Sequence, residues 1–506
     1  MREKNGSASI VKGSLLAKNT LWNLLGQIVP LVAALVAIPI LIRHLGNDRF
    51  GMLTLIWLII SYFNIMDLGL GRALTQLVAE KIGTEGEQEV SRLIWTALFI
   101  MSVFGSVGAL LLILICPWLV HSVLNIPDVL QSESLTSFII LAGCVPIVIC
   151  TAGLDGILSA KQRFDLINGI RLPLGVFMYV GPLLVLPFSI SLIPVTVILA
   201  SCRLLALVVD LILCFRILPV LRRLSMQLTS AKQLLRFGSW MTITNIVGPM
   251  MVRLDRFIIG ATISVTAVAY YATPYQAITK LWVLPMAVVT VLFPAFAFSH
   301  TRDPGRMKLL FEKSVKYIFL IMFPITFVVV AFAHEGLSLW LGKDFADNGY
   351  YVLQWLTLGV FLNSLAQVPY TLIQGAGRPD LTAKLHIVEL PFYLVAVWWA
   401  IGSFGIEGAA FVWFIRISID TFLMFIVASY FILEDRLKWR PKIYISFACA
   451  GFLMIVAMYL PSALIIKIMF VSGIFVAFLI ASWLFFLSSE ERAFMQQPRR
   501  LVHALK

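Results

Sequence analysis

The sequence predicts an all-α polytopic membrane protein with about fourteen transmembrane helices. Two pseudo-symmetric six-helix lobes are expected around a central cavity, with two extra C-terminal helices. Three observations predict this. Of 506 residues, 60% are hydrophobic and only 13% charged, with a mean hydropathy of +0.94. A soluble globular chain is about half apolar and a quarter charged. The apolar residues fall in unbroken runs rather than in the alternation of a membrane β-barrel. Finally, short motifs of the first half return in the second at a nearly constant offset.

The apolar segments, in order, are 20–42, 50–68, 93–117, 135–158, 172–188, 193–216, 237–262, 267–298, 317–333, 351–374, 386–403, 407–432, 443–461 and 464–488. Each is long enough to cross a hydrocarbon core, for which roughly 20 residues are needed. The first follows a basic leader with Arg2, Lys4, Lys12 and Lys18. It is too long for a signal-peptide core and has no clear small-residue cleavage site, so it is expected to be retained. The longest external loop is expected at about 334–350. That leaves no room for a soluble catalytic domain.

An even number of spans puts both termini on one side. Of the 39 Lys and Arg residues, 30 fall on that side and 3 on the other (Arg43, Arg49 and Lys343); 6 lie within spans (Arg203, Arg253, Arg256, Lys280, Arg416 and Lys467). By the positive-inside rule both termini are cytoplasmic. The same asymmetry accounts for the net charge of +13 without nucleic acid. The six cysteines all sit in apolar runs and form no C-x-x-C pair, so they read as small buried hydrophobes rather than metal ligands or disulfides.

The repeat rests on three matches. Asn23-x-x-Gly26 returns as Asn245-x-x-Gly248, Arg163-x-Asp165-Leu166 as Arg378-x-Asp380-Leu381, and Arg203 as Arg416, with offsets of 222, 215 and 213 residues. Coincidence in an apolar chain is the bland alternative, but the matches come in order with a slow drift. Six spans per copy give the copies the same topology, related by an axis along the membrane normal. The resulting division is 1–216 for the first lobe, 217–236 for a cytoplasmic linker, 237–432 for the second lobe, and 433–506 for spans thirteen and fourteen and the tail.

Polar residues within spans are expensive and mark candidate sites. In the seventh span Asn245, Pro249, Arg253, Arg256 and Gly260 share a helical face, with Asp255 between the arginines. In the eighth, Thr273, Gln276 and Lys280 form a second stripe, and in the tenth, Asn363, Gln367, Tyr370 and Gln374 form a third. The first two spans add Asn23, Gln27, Asn64 and Asp67. These faces read as the lining of an anion-attracting cavity. Alternatively, Arg253 and Arg256 snorkel to the outer headgroups, and the amides glue helices together. Arg203 with Asp210, and Arg416 with Asp420, are expected to be structural ion pairs within their helices. Lys467, at a span start, is expected to snorkel. The carboxylates Asp67, Asp155, Asp210, Asp255, Glu389 and Asp420 either bind H⁺ or Na⁺ or merely neutralise arginine. Asp67, Asp255 and Glu389 are the coupling candidates, the last with His386 at i, i−3.

Soluble catalytic signals are absent. His334-Glu335 opens like a zincin motif, but no second His follows. There is no phosphate-binding G-x-x-x-x-G-K-[ST] loop. Gly69-x-Gly71 is too short for a nucleotide fingerprint and reads as a bend or close-packing site.

From Asn19 to Glu80 the chain reads N-T-x-W-N-x-x-G-Q-x-x-P, then P-I-L-I-R-H-L-G from Pro39, R-F-G from Arg49 and D-L-G-L-G-R-A from Asp67. This hairpin resembles the polysaccharide-exporter branch of the multidrug/oligosaccharidyl-lipid/polysaccharide superfamily, such as O-antigen and exopolysaccharide flippases of the bacterial inner membrane. The resemblance implies transfer of a polyprenyl-pyrophosphate-linked oligosaccharide between leaflets through a cationic central cavity. A monomer without cofactor is expected, with the lipid-linked oligosaccharide and the lipid bilayer as partners and a polysaccharide polymerase and ligase as further candidates. The cavity residues named above come from periodicity, and the resemblance makes them more plausible. A multidrug antiporter would need a cavity led by carboxylates, a polymerase or ligase would need a large external loop, and a non-transporting scaffold would need neither.

Overall fold

The computed structural model describes residues 13–63, 70–81, 87–222, 225–226, 254–432, 441–461, 463–489 and 491–492. Among these the chain is helical and contains no strand. It divides into two compact units, Met1–Ala269 and Tyr270–Lys506.

The first unit contains α1 (Gly13–Phe63), α2 (Leu70–Lys81), α3 (Glu87–Trp118), α4 (Asp128–Gly143), α5 (Val145–Ala160), α6 (Phe164–Val185), α7 (Leu192–Ile217) and α8 (254–262). Gly46, at φ +74°, breaks α1 between the first two predicted spans. Glycine tolerates this left-handed backbone because it lacks a Cβ. Ser191 starts α7 by accepting a hydrogen bond from the backbone N–H of Ile193. Leu74, Leu77, Val78, Leu93, Ile94, Leu154, Ile157 and Cys214 bring α2, α3, α5 and α7 together in one buried cluster.

The second unit takes most of α9 (Val265–Thr279), then α10 (Val283–Arg302), α11 (Pro304–Ala331), α12 (Ala333–Leu341), α13 (Lys343–Gly375), α14 (Pro379–Val427), α15 (Pro441–Met458) and α16 (Leu464–Ala481). Asp303 caps α11 through the Arg306 N–H, with Pro304 at the first helical position, where its missing N–H costs nothing. Phe319, Phe323 and Phe327 recur every fourth residue and make one ladder along α11. Phe361 of α13, Phe447 of α15 and Phe470 and Phe478 of α16 pack on it, with ring centroids 5.0–6.2 Å away. This ladder holds the last two predicted spans to the unit.

Ten helical stretches among the described residues are long and apolar enough to cross a membrane. Two of them, Ile28–Phe63 and Pro379–Ile432, each carry two predicted spans, separated at Gly46 and at Gly405 (φ +64°). Ser446–Met458 is a shorter apolar helix at the thirteenth span. Most of the seventh span lies outside the described residues. About fourteen crossings therefore stand.

The expected loop at 334–350 is not a loop. It is helical on both sides of Gly342 (φ +98°), with α12 before the break and the first turns of α13 after it. Hydropathy missed this because His334, Glu335, Lys343, Asp344 and Asp347 dilute a segment whose apolar side, Leu337, Leu341 and Phe345, is buried.

The R-x-D motifs fold identically in both units. After α5, the Gln162 N–H donates to the Ser159 carbonyl and the Arg163 N–H to the Leu158 carbonyl; after α13, Gly377 donates to Gln374 and Arg378 to Ile373. Both are Schellman turns, whose extra residue is left-handed: Gln162 at φ +56° and Gly377 at +75°. Arg163 then donates to both oxygens of Asp165 at 3.0 Å, and Arg378 to those of Asp380 at 3.0 and 3.3 Å.

Candidate functional site

In the first unit, the Asn125 backbone N–H donates to the Gly260 carbonyl at 2.9 Å and its side chain to the Ala261 carbonyl at 3.0 Å, anchoring the end of α8. On that helix Asp255 is 0% and Arg256 5% exposed, and the Arg256 N–H donates to Asp255 Oδ1 at 2.8 Å. Arg256 is thus buried rather than exposed. Arg253, Asn245, Asn64 and Asp67 lie outside the described residues. Asn23 and Gln27 lie on the first stretch of α1.

The expected Arg203–Asp210 pair does not form. Arg203 lines a recess between α1, α6 and α7 with Ile60, Leu174, Phe177, Met178, Leu199 and Cys202. Asp210 is fully buried, and neither of its carboxylate oxygens has a hydrogen-bond partner among the described residues. The ion pair of this region runs between helices instead: Arg171 of α6 holds Asp155 of α5 at 2.7 Å.

The second unit collects the stripes predicted for the eighth and tenth spans. Gln276 is half-buried on α9, and Lys280 is exposed at the 3-10 turn Lys280–Trp282 that joins α9 to α10. This turn packs against α13. Between 356 and 375, α13 is buried except at Leu362, Asn363, Gln367, Tyr370, Gln374 and Gly375. The predicted polar stripe is therefore the open face of an otherwise enclosed helix. Gln367 donates to Asn363 at 3.2 Å, and Gln374 to the Thr382 hydroxyl at 3.2 Å, which orients the amides along that face.

Beside the stripe, the two halves of α14 exchange charges. Arg416 lies 3.6 Å from Glu389 and over the Tyr393 ring, at 5.5 Å from its centroid. Asp420 lies 3.4 Å from His386. The expected Arg416–Asp420 pair is thus replaced by two pairs that cross the Gly405 break, and Tyr370 is within electrostatic reach of Asp420. Lys467 does not snorkel; it is 8% exposed and pairs with Glu335 at 2.8 Å. Spacing within one helical stretch could not reveal these partners, which lie across the Gly405 break or on another helix. The 215-residue offset could have linked one pair of corners, since it maps Asp155 onto Tyr370 and Arg171 onto His386.

No cluster of His, Cys, Asp or Glu suited to a metal occurs among the described residues. The arrangement presents cations, amides and aromatic rings on membrane helices. Amides and a lysine ammonium bind sugar hydroxyls and phosphate oxygens, and charge-assisted bonds are the stronger kind.

A family profile described as "Polysaccharide biosynthesis protein" matches residues 40–349. The chain belongs to that family. It is 30% identical over 408 residues to the "Putative O-antigen transporter" of Shigella flexneri, covering 80% of this chain and 96% of that protein. Its fold matches a lipid II flippase, MurJ, in an inward closed conformation, with a TM-score of 0.69 and 12% identity over 91% of this chain and 98% of that one. It also matches an inward-facing multidrug transporter of the MATE family in the MOP superfamily, with a TM-score of 0.65 and 15% identity over 81% and 99%. The protein is thus a member of the polysaccharide-exporter branch, built on the fold that these transporters share.

Proposed function

We propose that this protein is a flippase that moves a polyprenyl-pyrophosphate-linked oligosaccharide, an O-antigen or exopolysaccharide repeat unit, across the bacterial inner membrane by alternating access. The observation that carries the reading is the open amide stripe of α13, a helix against which the turn bearing the exposed Lys280 packs, in a chain made of membrane helices. The full-length likeness to an O-antigen transporter supports the same substrate class. The protein acts as a transporter rather than an enzyme. It works as a monomer with both termini cytoplasmic, a placement supported by the basic residues concentrated on one side.

The proposed division is into two lobes, 1–216 and 237–432, joined by a linker at 217–236 and followed by the appendage 433–506. The matched Schellman turns support the duplication. Arg253, Arg256 and Lys280 attract the diphosphate. Asn23, Gln27, Asn245, Gln276, Asn363, Gln367 and Gln374 bond the sugars. Asp67, Asp255 and Glu389 are the candidates for ion coupling, and Glu389 lies 3.6 Å from Arg416. A polymerase and a ligase take the product on the outer side.

Deletion of the gene tests this reading. Lipid-linked repeat units should accumulate on the cytoplasmic leaflet. Units delivered singly to the outer face of the deletion strain would assign the protein to polymerisation or ligation instead.

A further inference from the structure

A carboxylate without a partner in a fully buried position needs an explanation, because an isolated buried charge costs several kcal/mol or is neutralised by a proton. Asp210 is such a group: 0% exposed, with both oxygens unbonded among the described residues. It lies seven residues before the end of α7 at Ile217, about 10 Å along the helix at its usual rise.

The charged groups facing it come from two neighbouring helices. They are Asp155 of α5, whose charge repels its own, and Arg171 of α6, whose charge attracts it. The Cys214 thiol, one turn on in α7, is also in reach. The acids of α4 lie elsewhere: Glu133 accepts from the backbone N–H of Leu192, at the far end of α7. It also meets Arg49 of α1 there, at 3.5 Å. Arg171 is already committed to Asp155, with Nη2 at 2.7 Å and Nε at 3.1 Å from the same oxygen. With Asp210 ionised, the three groups carry a net charge of −1; with Asp210 protonated they are neutral. The 215-residue offset relates this corner to Tyr370, His386 and Phe425 in the second unit. There Tyr370 replaces the first acid, and His386 pairs with Asp420 at 3.4 Å.

We propose that Asp210, Asp155 and Arg171 form a proton-binding site in the first unit, with Asp210 as the carrier. In this reading the Asp210 carboxylate carries one proton while Arg171 neutralises Asp155. Release leaves Asp210 as an anion and requires Arg171 to shift from Asp155 towards it. The Arg171 side chain is 63% exposed, so it is not packed against such a shift. The site does not depend on which lipid the protein moves.

The test treats purified full-length protein in detergent with a hydrophobic carbodiimide, which modifies protonated carboxyl groups, and maps the adducts by peptide mass spectrometry. The adduct is expected on Asp210, diminishing as the pH is raised, and absent from Asp210→Asn. In Arg171→Gln, Asp155 loses its counter-charge and should become modified as well. Asp210→Asn keeps the shape of the neutral acid, and a monodisperse elution profile checks that it folds. An Asp210 that stays unmodified at every pH, while another carboxyl of the same sample reacts, would overturn the proposal. Protection of Asp210 by Na⁺ at constant pH would overturn it too, in favour of a metal cation. No outcome depends on a lipid substrate, so failure here leaves the flippase reading untouched.

Discussion

Gln162 and Gly377 are the same residue in two copies of one turn, with left-handed φ of +56° and +75°. A Cβ in that conformation costs about 1 kcal/mol. Gln162→Gly should therefore stabilise the protein by up to that amount, and Gly377→Gln should destabilise it by about 1 kcal/mol. Thermal unfolding of the purified variants checks both, and equal melting temperatures for all three proteins would remove the strain argument. The residue scale is also where the sequence was read best and worst. The α13 stripe was legible because a single helix fixes which side chains share a face. Asn363, Gln367, Tyr370 and Gln374 accordingly emerge together. Ion pairs were not legible, because their partners lie on other helices or across a break in the same one. Arg416 meets Glu389 across a glycine break, and Asp210 has no hydrogen-bond partner among the described residues.

At the scale of elements, apolar run length located the spans and glycine marked the two breaks at Gly46 and Gly405. It failed at 334–350, where helices with charged outer faces hide a buried side. The segment that follows α16 shows how a polar anchor fixes an end. Glu491 receives Lys316 Nζ on both oxygens at 2.7 Å and the Tyr317 hydroxyl on one. Burial pushes the Glu491 carboxyl up, but the bonds from Lys316, Tyr317 and the Ser488 N–H outweigh this and hold it at about 2. A depressed carboxyl contributes stability above its unfolded value near 4.5 and loses it as pH falls through about 2. The anchor is thus fully engaged at neutral pH. Hydrogen exchange at Ser488 and Arg492 should accelerate as pH drops through that window, once corrected for intrinsic rates, and Glu491→Gln should show the fast behaviour at neutral pH. Unchanged protection in Glu491→Gln would mean that packing alone holds the segment.

For the whole molecule, composition fixed the membrane class, and the basic asymmetry suggested an orientation. The repeat was visible only through three short motifs, yet the Schellman turns of both copies match bond for bond. What could not be read was the pairing of distant charges that gives each unit its own electrostatic corner. The central claim is that Lys280, on the turn that packs against α13, receives an anionic lipid-linked headgroup. The most direct measurement is surface polysaccharide in the deletion strain complemented with Lys280→Glu, beside Lys280→Arg, at equal membrane levels of protein. A charge-assisted contact contributes about 1.5–3 kcal/mol, or roughly ten- to a hundredfold in binding. Lys280→Glu should therefore cut surface glycan at least about tenfold, with lipid-linked units retained on the cytoplasmic leaflet, while Lys280→Arg stays close to wild type. Full surface glycan from Lys280→Glu would contradict the account.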